Sequence, residues 1–128
     1  MSGAERTWGG ASKVYTTRYE TYKRITDSEN PHKFSRLIDA FHAAAAVGIR
    51  LRAVPDTGGT EKREELVNVY SIDPDGVLWA VMSAIHPEAS GAERFEKLMI
   101  YADQGIERLE EGFTIYGNLQ MALDALLG

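Results

Sequence analysis

The chain reads as a mainly α, compact single-domain helical bundle, with a short β-hairpin around 66–82 as the alternative to one of its helices. Three observations point there. Composition is ordinary for a globular protein, 44% hydrophobic and 26% charged over 128 residues. Apolar residues recur with helical spacing in the middle and the last third of the chain. Helix start signals, Asn30-Pro31, Ser90 with Glu93, and Asn118, precede those periodic runs. At this length about 65–70% of the unfolded surface can be buried, so a core forms without metals or crosslinks. With no cysteine, disulfides, thiolate metal sites and cysteine nucleophiles are excluded, and the composition fits a reducing cytoplasm. No apolar run approaches the roughly 20 residues of a membrane span, and Met1 to Gly10 lacks a basic stretch followed by an apolar one.

Residues 1–12 hold Gly3, Gly9 and Gly10 around Trp8 and are expected to form a flexible N-terminal arm, followed by a single helical domain over 13–128. From Val14 to Thr26, Tyr15, Tyr19 and Tyr22 fall at i, i+4 and i+7 and favour a helix; the Thr and Tyr content leaves a strand as the alternative. Asn30 as N-cap and Pro31 at the first position open the next helix, along which Phe34, Leu37, Ile38, Phe41 and Ala45 make the core face. Ala40 with Ala43–Ala46 makes a second side where another helix can approach closely, and Gly48 ends the element. Residues 53–64 combine turn formers and charges and read as an exposed loop.

The stretch 66–86 has two readings. Asp73-Pro74-Asp75-Gly76 has hairpin turn chemistry, while the same Asp73-Pro74 pair is an N-cap and first helical residue. The helix formers Leu78, Ala80, Met82 and Ala84 favour a helix from about 74 to 86, preceded by an extended piece at 66–70. Beyond it, Ser90 and Glu93 form a capping box, and Phe95, Leu98, Met99 and Ala102 line one face, with Gly105 near the end. A short helix around Ile106 to Glu111 stops at Gly112, and Asn118 caps a last helix with an apolar edge of Leu119, Leu123, Leu126 and Leu127.

Chemistry-bearing motifs are scarce. His32, His42 and His86 have no metal-ligand spacing, and the glycines form neither phosphate-binding fingerprint. Asp73 with Asp75, Glu107 with Glu110 and Glu111, and Asp103 fall in first turns or on solvated faces. Ser35, Ser71 and Ser83 have no base nearby in sequence. No catalytic residue, metal or cofactor is therefore expected.

The net charge of −5 is uneven. Residues 1–52 carry nine basic and five acidic side chains, +4, and residues 53–128 carry five and fourteen, −9. The basic end mixes Arg18, Lys23, Arg24 and Lys33 with tyrosines, which suits phosphate neutralisation and base stacking; a DNA-binding regulator or sensor using those four is the alternative function.

Three stretches, Phe34 to Leu51 (FSRLIDAFHAAAAVGIRL), Ser71 to Ile85 (SIDPDGVLWAVMSAI) and Ile100 to Leu109 (IYADQGIERL), together resemble the small accessory proteins of bacterial DNA phosphorothioation (Dnd) and related anti-phage defence loci. The last is similar to that family's EYANGGI-type ending, with Ala-Asp-Gln at 102–104 where Ala-Asn-Gly is expected. The likeness spans about residues 30–112, and the two ends of the chain do not share it. It implies a noncatalytic accessory subunit that binds a larger protein of the same operon, and it transfers no active site. Trp8, Leu123, Leu126 and Leu127 are the expected partner contacts, with Trp79 a further candidate, because large apolar side chains left exposed mark interfaces.

Overall fold

The structure, a computed structural model, describes residues 7–51 and 62–128. In chain order these form strand β1 (Lys13–Thr16), helix α1 (Tyr19–Arg24), helix α2 (Leu37–Leu51), strand β2 (Glu64–Asn68), a 3₁₀ turn (Val69–Ser71), and helices α3 (Val77–Ile85), α4 (Gly91–Tyr116) and α5 (Leu119–Leu127). The fold is mainly α, as the periodicity predicts, with one two-stranded antiparallel ribbon. No helix among the described residues is long and apolar enough to cross a membrane. Residues 1–6 of the expected arm and most of the loop read at 53–64 lie outside the described residues.

The stretch 66–82 is not a hairpin. β2 pairs with β1, Lys13 opposite Asn68 and Thr16 opposite Glu64, and the chain after it turns into α3. The helix begins at Val77 and not at Pro74: Asp73-Pro74-Asp75-Gly76 forms a turn, the Gly76 N–H donating to the Asp73 carbonyl at 3.2 Å, with Gly76 at φ 73° as the cap. From that turn the Asp73 carboxylate accepts from the backbone N–H groups of Leu78 and Trp79, each at 2.9 Å, two donors that the helix start leaves free.

The expected helix over 14–26 is divided. Val14 and Thr16 are buried and Tyr15 is exposed, the alternation of a strand with one covered face, and helix begins only at Tyr19. The next helix starts at Leu37, not Pro31. Asn30 caps a turn instead, accepting from the His32 N–H at 2.9 Å, while Asp27 N–H donates to the Phe34 carbonyl at 2.8 Å and closes a compact loop.

The capping box at Ser90 and Glu93 forms as expected. From there the chain continues as one helix of 26 residues, about 39 Å long, running straight through Gly105 and Gly112. Both glycines meet other helices. A Cβ on Gly105 would overlap the Ala44 carbonyl, and one on Gly48 would overlap the Tyr101 carbonyl, so α2 and α4 touch backbone to backbone. The small side around Ala40 and Ala44 is the close-approach surface that the sequence implied, with Gly48 as its centre and not its end. Gly112 meets the Ala122 Cβ of α5, and Gly117, at φ 70°, terminates α4. Asn118 caps α5 as predicted, accepting from the Met121 N–H at 3.0 Å. Around this frame the core gathers Tyr22, Phe41, Met82, Leu98, Ile106 and Leu109.

Candidate functional site

Trp8 is not a surface contact. It is 1% exposed, edge-on to Trp79 at 5.2 Å between ring centroids and tilted against Phe95 at 6.0 Å. An indole of this size buries too much apolar area to be left in water when a hydrophobic wall is within reach, and that outweighs the mobility of its glycine neighbours. Trp79 is half-buried beneath the Arg94 guanidinium, 4.7 Å from the ring centre. Leu123 and Leu126 are half-buried and pack onto the core, whereas Leu127 is 36% exposed.

Three exposed apolar side chains gather instead at the elbow between α4 and α5, whereas Val77 (61% exposed), Tyr70 (49%) and Leu51 (41%) stand on other elements. Ile115 is 74% exposed, Met121 53% and Tyr116 45%. Ile115 and Tyr116 stand three and four residues after Gly112, on the side of α4 that turns toward α5, and Met121 adjoins Ala122, the residue Gly112 touches. The three therefore flank the Gly117 turn. Sequence reasoning followed the leucine periodicity of α5 and passed over them; the available signal was Ile115-Tyr116 directly before Gly117-Asn118, a helix ending on two large apolar residues with no charge in between. Residues 109–128 hold Glu110, Glu111 and Asp124 and no Lys or Arg. The elbow is thus an apolar surface with an acidic rim.

The basic N-terminal segment lies against the acidic face of α4, and two of its arginines are paired there. Arg18 pairs with Glu107, and Arg24 grips Glu110 with Nε at 2.6 Å and a second nitrogen at 2.9 Å. Lys23 lies over the Tyr19 ring and Lys33 over Phe113, each 5.8 Å from the centroid. Lys23, Arg24 and Lys33 border one groove; Arg18 is not among its lining residues.

A second polar cluster fixes the end of β1 to the same helix. The Asp103 carboxylate accepts from the Thr16 hydroxyl at 2.5 Å, the Thr17 N–H at 3.1 Å and the Thr17 hydroxyl at 2.9 Å. Burial raises the Asp103 pKa above the usual aspartate value, against the lowering effect of these donors and of Arg18. Tyr22, wholly buried, has its phenol pKa pushed well up by burial first and then by the Asp103 charge. The three donors to Asp103 come from chain-local threonines and join β1 to α4, which is the arrangement of a structural clasp.

The histidines are dispersed. His42 Nε2 lies 2.7 Å from the Ile72 carbonyl, His86 Nε2 lies 2.8 Å from the Tyr101 hydroxyl with the rings stacked, and His32 Nδ1 meets the Asn118 amide at 3.0 Å. Among the described residues no group of three or more His, Asp or Glu side chains is placed to hold a metal ion. No protein-family model, no curated protein and no solved structure matches the chain.

Proposed function

We propose that this chain is a noncatalytic accessory subunit of a bacterial anti-phage defence system, and that it acts by docking its α4–α5 elbow onto a larger protein of the same operon. The observation that carries the reading is the exposure of Ile115, Tyr116 and Met121 together at one turn, in a fold that buries even Trp8. Large apolar side chains grouped on a surface favour a partner, since covering them removes apolar area from water. The acidic rim of Glu111 and Asp124 selects a partner whose groove is apolar at its floor and basic at its edge. The resemblance to accessory proteins of phosphorothioation and related loci supports the system to which that partner belongs.

The DNA-binding alternative is less well supported. Its four residues do not form one surface: Arg18 is held on Glu107 and does not line the groove bordered by Lys23, Arg24 and Lys33.

The test is co-expression with the larger protein encoded beside this chain, followed by size-exclusion chromatography. The two proteins are expected to elute together, the double variant Ile115→Glu/Met121→Glu to elute alone, and Ala46→Glu, on the exposed side of α2, to behave as the wild type. Co-elution that survives the double variant, or separate elution of the wild-type pair, would refute the assignment.

A further inference from the structure

Lys23 and Lys33 differ from the arginines beside them. Arg18 and Arg24 are neutralised by carboxylates, whereas each lysine rests its ammonium on an aromatic ring, Lys23 on Tyr19 and Lys33 on Phe113. A ring face orients a cation without cancelling its charge. Both lysines, with Arg24, line an open groove of about 720 Å³ between the end of α1, the turn at 25–28 and the last turns of α4. Two acids also border it, and both are engaged: Glu110 by Arg24, and Asp27 by the Glu29 N–H at 3.0 Å. The hydroxyls of Ser28 and Thr114 complete a polar lining beside the Phe113 ring.

We propose that this groove binds a phosphate-bearing anion, with Lys23 and Lys33 supplying fixed positive charge and Arg24 exchanging Glu110 for the ligand. A guanidinium presents the same pair of parallel donors to phosphate as to carboxylate, so the exchange keeps its geometry. The Arg24–Glu110 pair is partly exposed, 57% and 31% at the two side chains, and such pairs are weakly held against a competing dianion. Free phosphorylated molecules and the backbone of a nucleic acid share this chemistry. The groove adjoins the elbow through Phe113 and Thr114, but the elbow's apolar contacts Ile115, Tyr116 and Met121 do not line it.

The experiment titrates the full chain at low salt with inorganic pyrophosphate and, separately, with oligothymidylate, followed by amide NMR and calorimetry. Pyrophosphate is expected to shift the amides of residues 23–28, 33 and 110–114. Lys23→Gln/Lys33→Gln should weaken binding by about tenfold or more, and Glu110→Gln, which releases Arg24, should tighten it. Arg36→Gln, whose partner is Asp39 outside the groove, should change nothing. Oligothymidylate that binds more tightly than pyrophosphate, with log K falling by roughly 2 for each tenfold rise in salt, identifies nucleic acid as the source; equal or weaker binding identifies a small phosphorylated molecule. Failure of both probes to bind, or binding unchanged in the lysine double variant, overturns the site. A Glu110→Gln variant that binds no better than the wild type overturns the Arg24 exchange.

Discussion

The middle and the C-terminal end of α4 make contacts that begin alike and finish differently. In its middle, Gly105 and Gly48 bring α4 and α2 together backbone to backbone, and the flanking Phe41, Leu98, Tyr101 and Ile106 are all buried. At its C-terminal end Gly112 again admits a neighbour closely, the Ala122 methyl of α5, yet Ile115, Tyr116 and Met121 stay in water. The same device, a missing Cβ, closes one seam completely and leaves apolar area over at the other. The first seam has everything it needs within the chain. The second has side chains that only a further surface can cover, and this difference separates the part of α4 that builds the fold from the part assigned to binding.

The largest effect should come from filling the first seam. Gly105→Ala sets a methyl against the Ala44 carbonyl, a backbone group that cannot turn aside, and is expected to cost about 3 kcal/mol in urea denaturation. An alanine's better helix propensity, about 1 kcal/mol, offsets only part of this. Gly112→Ala meets a side-chain methyl at 2.8 Å instead, and because α5 can shift, the propensity gain brings the net change to within about 1 kcal/mol. Equal losses at the two glycines would erase the distinction between the seams.

The Asp103 clasp on the core side of α4 provides a pH signature. Its folded pKa is raised above the unfolded value, so the native state holds the proton more tightly. The contribution to stability is therefore full below the unfolded pKa and is lost as pH rises through the folded one. Denaturation midpoints across the acid range should show this component in the wild type and not in Asp103→Asn. The smallest effect on stability belongs to the elbow: Ile115→Glu and Met121→Glu should each lie within about 0.5 kcal/mol of wild type, since both side chains stand mostly in water. A loss of several kcal/mol at either would make the elbow part of the core.

What could be read from the residues divides along the same line. Signals completed within a few positions were legible: the Ser90–Glu93 box and the Asn118 cap. Asp73 reads as an N-cap but stands one turn before its helix, which it reaches from across the 73–76 turn. Signals whose partner is distant in sequence were not. Gly105 and Gly112 look like helix ends because glycine disfavours helix locally; that they are contact points follows only from Ala44 and Ala122. Trp8 looks mobile beside Gly9 and Gly10 until Trp79 and Phe95 stand around it. β1 hides within a tyrosine spacing that fits a helix, because its pairing strand begins at Glu64. For the proposed docking surface the difficulty was reversed: the leucines of α5 advertise an apolar edge, but Leu119, Leu123 and Leu126 are used internally, and Ile115 and Tyr116, without a periodic run of their own, are left exposed beside Met121.

The most direct measurement of the central claim is hydrogen–deuterium exchange on the chain alone and mixed with the proposed partner, the larger protein encoded beside it. New protection is expected, centred on residues 113–121, with α2 and the seam at Gly105 unchanged because they are already closed. Protection that appears on α2 or α3 while residues 113–121 exchange as they do in the free chain would contradict docking through the elbow.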